Sequence, residues 1–132
     1  MKNRNIVNDW MIRAESNLYR AKSGKISDKI LYEDLCYDCQ QAAEKSLKAL
    51  LIALGHEAPR THNIGNLVRI LFKSGYVIPE PVLTASALTE YAVNTRYPGD
   101  YEEVKHVDYE NALHMAEEVC SWVRSELMTI EY

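Results

Sequence analysis

The stretch QQAAEKSLKALL, residues 40–51, sets Gln41, Glu44, Lys45 and Lys48 three or four positions apart. That spacing brings side chains to one face of a helix. Two readings stand. Glu44 to Lys48 is the favourable i,i+4 order, about 0.2–0.5 kcal/mol on an exposed helix, and the set then forms a solvated face. The same stripe on an otherwise apolar helix can line a cleft, where lysines with a glutamine suit phosphate and base contacts. A second candidate is Arg96, in NTRYPGDYEEV at residues 94–104, which closes an apolar run just before Pro98-Gly99. Its guanidinium suits either a bound phosphate or the last helix carbonyls and nearby acids such as Asp100. Tyr97 and Tyr101 stand ready to flank it as stacking surfaces. His62, in RTHNIG at an expected helix start, offers an anion site or a capping role.

Other chemistries find little support. His56, His62, His106 and His114 show no metal-ligand spacing on one helix. Cys36-Tyr37-Asp38-Cys39 has C-x-x-C spacing but no second pair, so Cys36, Cys39 and Cys120 read as small buried residues. No nucleophile elbow, P-loop or dinucleotide fingerprint occurs. No metal and no cofactor is expected.

Helices must position these groups, because apolar residues recur with helical period nearly throughout. A first helix carries Val7, Trp10, Met11, Ala14, Leu18 and Ala21. A second, following Asp28 as cap, carries Leu31, Leu35, Cys39, Ala43, Leu47, Leu50 and Leu54 before Gly55 stops it. Thr61 is expected to cap a short third helix with Ile64, Leu67, Val68, Leu71 and Phe72 inward, ended by Gly75. Pro79 and Pro81 suit the entry to a fourth helix running to about Thr95. Asp108 is expected to cap a fifth, bearing Tyr109, Ala112, Leu113, Ala116, Val119, Cys120, Val123, Leu127 and Ile130. The expected fold is all-α, an up-and-down bundle of four long helices plus one short helix in one domain over residues 1–132.

Composition agrees with a globular chain, 47% hydrophobic and 26% charged. The net charge of −4 argues against a broad grip on duplex nucleic acid and leaves room only for a local contact. The odd cysteine count, the polar N-terminal stretch and the lack of a bilayer-length apolar run predict a cytoplasmic protein without a membrane span.

Three motifs in order carry a family resemblance: the helix with Gln41, Ala42, Glu44, Lys45 and Lys48, the Thr61-His62 turn, and the Arg96-Tyr97-Pro98 loop. With the closing DYENALHMAEEVCSWV segment, the chain resembles the HEPN family (higher eukaryotes and prokaryotes nucleotide-binding), over nearly its whole length. The resemblance implies a bundle of four to five helices, commonly a homodimer, often paired with a minimal nucleotidyltransferase in toxin–antitoxin or stress systems. Some HEPN proteins are metal-independent ribonucleases, in which a histidine follows the arginine by about four to six residues; others bind nucleotides or partners without that pair. Here the window after Arg96 holds Asp100, Tyr101, Glu102 and Glu103, and the next histidine, His106, stands ten residues on. A tyrosine of pKa about 10 or a carboxylate of about 4 is a poor general base at neutral pH.

The expectation is therefore a non-catalytic nucleotide-binding or partner subunit. Its site set is Gln41, Glu44, Lys45, Lys48, His62, Arg96, Tyr97 and Tyr101, with Arg96, Lys45 and Lys48 on phosphate. Two alternatives remain: a ribonuclease using Arg96 with Tyr101, Glu102 or His106, and a pure interaction or dimerisation module.

Overall fold

Val7, Met11, Ala14, Leu18 and Ala21 recur every three or four residues and are buried, which makes α1 (Lys2–Lys22) a helix with one apolar stripe. The computed structural model describes residues 2–92, 99 and 102–132. Within these residues the fold is all-helical, with α2 at Tyr32–Ala53, α3 at Ile64–Lys73, α4 at Glu80–Thr84, a 3-10 helix at Ala85–Ala92 and α5 at His106–Leu127.

The second helix lies at the centre, packed most extensively on α1 and α5 and also on α3 and the 3-10 helix. Its residues 46–53 are buried all round, as a helix enclosed by others must be. Cross-contacts fix the directions. Arg20 meets Asp38, and Lys48 lies over the Trp10 ring, so α1 and α2 are antiparallel. Tyr32 stacks on Tyr109 and Ser46 reaches Cys120, so α2 and α5 run the same way. Small residues allow the α2–α5 approach: the Cys120 thiol takes a hydrogen bond from Ser46 Oγ at 3.2 Å and faces the Ala42 carbonyl at 3.6 Å. All three cysteines are buried and free, and burial pushes the Cys36 thiol up to about 12 and that of Cys120 to about 11. They pack as small apolar groups.

Helix ends show where sequence signals act and where they shift. Gly55 (φ +94°) follows α2 with His56 N–H on the Leu51 carbonyl and its own N–H on Ile52, and Gly75 (φ +93°) repeats the arrangement after α3. Each is a Schellman stop that needs the left-handed backbone glycine allows. The start of α2 lies at Tyr32 rather than just after Asp28, with Leu31 as a cap lacking a side-chain acceptor. The cap of α3 is Asn63, whose side chain accepts from Asn66 N–H; Thr61 instead accepts from Asn63 N–H. Asp108 sits inside α5 and reaches back to the Lys105 N–H at 2.9 Å.

Two further expectations are corrected. Phe72 is 68% exposed, because Ile64, Leu67, Val68 and Leu71 already complete the inward face of α3. The fourth helix tightens into a 3-10 turn after Thr84. Val82, Ala85 and Leu88, all buried, are spaced by three, the repeat that a 3-10 helix aligns on one stripe. The remainder of that expected helix, residues 93–95, lies outside the described residues.

Candidate functional site

Gln40, Glu44 and Lys48 follow one another at i,i+4 along α2 and so stack on one face. That face is covered, with Glu44 only 3% and Lys48 only 7% exposed at the side chain. The solvated-face reading therefore fails for these two residues. Every polar atom is matched instead. Glu44 Oε2 accepts from Lys48 Nζ at 2.9 Å, while Oε1 accepts from Gln40 Nε2 at 2.9 Å and pairs with His62 Nδ1 at 3.0 Å. Gln40 also donates to the His62 carbonyl at 3.1 Å, and its own oxygen accepts from Gln41 Nε2 at 2.7 Å. The turn before α3 is thus tied to the middle of α2 through both backbone and side chain of His62.

Electrostatics follow from this geometry. Burial raises the Glu44 carboxyl, but hydrogen bonds from Gln40, Lys48 and His62 and the Lys48 charge outweigh it, holding the group below the usual carboxylate value. Lys48 lies 5.6 Å from the Trp10 ring centroid, which adds a cation–π contact on its other side. The imidazole of His62, by contrast, is 73% exposed although its anchor is buried.

The expected stripe divides at Lys45. Its Nζ turns to α1 and donates to Asn17 Oδ1 at 2.8 Å; Asn17 in turn donates to buried Asp38 at 2.9 Å, and Arg20 pairs with the same carboxylate at 3.0 Å. Burial pushes the Lys45 ammonium below its ordinary range against the pull of Glu44, and nearby Arg13 and Arg20 add to the lowering. Gln41, Glu44, Lys45 and Lys48 therefore serve two polar networks on two sides of α2. Sequence reasoning missed Gln40, Asp38, Asn17 and Arg20. The available signal was polar residues at helical spacing within a buried stripe: Gln40 four positions after Cys36, and Asp38 three after Leu35.

Arg96, Tyr97 and Tyr101 lie outside the described residues. The loop they belong to is described at Gly99 and from Glu102 onward. Gly99, Glu103 and Val104 face Lys25, Leu31, Tyr32 and Glu33 across a cavity of about 260 Å³. This sets the loop's exit at the first turn of α2, about 18 Å along the helix from Glu44 at 1.5 Å per residue. Glu102 is exposed. His106 opens α5, with Nδ1 on Glu110 at 2.8 Å and its ring edge-on to Tyr32 at 5.5 Å. Its contacts are apart from the Glu44 network. Among the described residues no group of three or more His, Cys, Asp or Glu could hold a metal, and no helix is long and apolar enough to cross a membrane.

Comparison with known proteins agrees with this architecture. TT1696 from Thermus thermophilus superposes with a TM-score of 0.77 at 29% identity, covering 91% of this chain and 97% of that one. ST0689, described as an archaeal HEPN homologue, gives 0.72 at 29% identity over 92% and 97%. A comparison with curated proteins finds no match. The HEPN domain model matches residues 7–126, nearly the whole chain, with the Gln40–Glu44–Lys48 helix and the His62 turn inside it. The chain belongs to the HEPN domain family.

Proposed function

We propose that this protein is a non-catalytic HEPN subunit that binds a nucleotide, acting in the cytoplasm as a homodimer beside a minimal nucleotidyltransferase in a toxin–antitoxin or stress system. The observation that carries the non-catalytic part of the reading is the placement of His106. It is the first histidine after Arg96, and it is engaged by Glu110 and packed against Tyr32. No histidine then stands within the four-to-six-residue window that metal-independent cleavage by this family needs.

The α2 networks refine which groups serve a ligand. Lys48 is held by Glu44 out of solvent and Lys45 is bonded to Asn17, so phosphate contact falls to Arg96, with Tyr97 and Tyr101 as stacking surfaces. The test is titration with a labelled purine nucleotide. Wild-type protein is expected to bind, and Arg96→Ala to weaken binding by about tenfold or more, the scale of a lost charge-assisted contact. Unchanged affinity in the variant would remove Arg96 from the site. No binding by wild-type protein would leave a pure interaction module as the better reading.

A further inference from the structure

An exposed imidazole does not need a buried carboxylate to stay in water, yet His62 has one. Its ring is 73% exposed, and its Nδ1 rests 3.0 Å from Glu44 Oε1, a carboxylate 3% exposed. Its backbone is fixed as well, by the bond from Gln40 Nε2 to the His62 carbonyl. A carboxylate only accepts hydrogen bonds, so Nδ1 must carry the proton of this contact. In the neutral ring the free lone pair is then on Nε2. The ring is held in one orientation with an acceptor free to meet a ligand.

The surroundings decide what kind of ligand. An anion would use the N–H groups at the start of α3, and three in this turn are engaged: Asn66 N–H by Asn63 Oδ1 at 3.2 Å, Ile64 N–H by Thr89 Oγ1 at 3.0 Å and Asn63 N–H by Thr61 Oγ1 at 3.1 Å. Lys48, the nearest cation of the network, is bound to Glu44 and buried. What the His62–Glu44 pair leaves at the surface is an acceptor, Nε2, which suits a neutral hydrogen-bond donor.

We propose that Glu44 is a positioning residue that fixes the tautomer of His62, and that His62 Nε2 accepts a hydrogen bond from the nucleoside part of a ligand, a ribose hydroxyl or an exocyclic amine. The inference rests on the nucleotide-binding reading above and concerns the nucleoside end alone.

Nitrogen-15 NMR of the imidazole tests it. Wild-type protein at pH 8 is expected to show His62 as the Nδ1–H tautomer, with a mixture or reversal in Glu44→Gln. Adenosine should shift the His62 Nε2 resonance and inorganic phosphate should not. His62→Ala, which removes the bond to Glu44 but keeps the backbone tie from Gln40, should weaken adenosine binding roughly fivefold, the loss of one net hydrogen bond. An Nε2–H tautomer in wild-type protein, or an equal response to phosphate, overturns the proposal. Binding of adenosine monophosphate with no change at His62 overturns this inference alone; absence of any nucleotide binding overturns the functional reading as well.

Discussion

Replacing Glu44 with alanine is expected to destabilise the fold by about 3–5 kcal/mol, because it leaves the buried Lys48 ammonium without its partner. The Gln40 amide would lose an acceptor too, and the His62 turn would lose one of its two ties to α2. Urea denaturation at pH 7 measures the loss. Lys48→Met combined with Glu44→Gln should cost less than Glu44→Ala alone, since no charge is then stranded in the interior. A pH series gives an independent check. The folded-state pKa of Glu44 lies below its ordinary 4.5, so its contribution is complete above 4.5 and is lost as pH falls below 4.5 through the folded value. Glu44→Gln should therefore flatten the acid limb of the stability curve. An acid limb unchanged in the variant would mean that other carboxylates dominate it.

Leu47→Ala is expected to cost about 2–5 kcal/mol, the range for a buried leucine whose removal leaves a cavity. Leu47 is fully buried in the middle of α2, between helices on several sides, so its neighbours have little freedom to collapse into the space. Phe72→Ala provides the contrast. Although phenylalanine is larger, this one is exposed on α3, and its removal should change stability by no more than about 0.5 kcal/mol. Parallel urea titrations of the two variants compare them directly. A Phe72→Ala loss as large as that of Leu47→Ala would mean that Phe72 is covered in solution, as in an oligomer.

These two side chains also mark how far the sequence can be read. Leu47 and Phe72 both fit a helical apolar stripe, and periodicity alone places both inward. Periodicity fixes which residues share a face, but how wide a face the neighbours cover depends on packing that the local pattern does not encode. Gly55 and Gly75 were legible because a left-handed backbone after a helix has few other solutions. The 3-10 segment was not, since a spacing of three is compatible with both helix types over a few turns.

The site divided along the same line. Gln41, Glu44, Lys45 and Lys48 were visible as a polar set, and the Thr61-His62 turn was visible beside it. Their partners were hidden by distance in the chain. Lys45 finds Asn17, and Gln40 and Glu44 find His62, across separations of 18 to 28 residues. Only the packing of α1 and the return of the chain before α3 decide those pairs. Burial of Glu44 and Lys48 was therefore the least predictable feature, even though it takes Lys48 away from any ligand.

The central claim is that the chain binds without cleaving. Its most direct test is incubation of purified protein with RNA in EDTA, beside Arg96→Ala prepared in the same way to expose contaminating nuclease. Intact RNA is expected with both proteins. Cleavage by the wild type that disappears in Arg96→Ala would contradict that claim and make this protein a metal-independent ribonuclease.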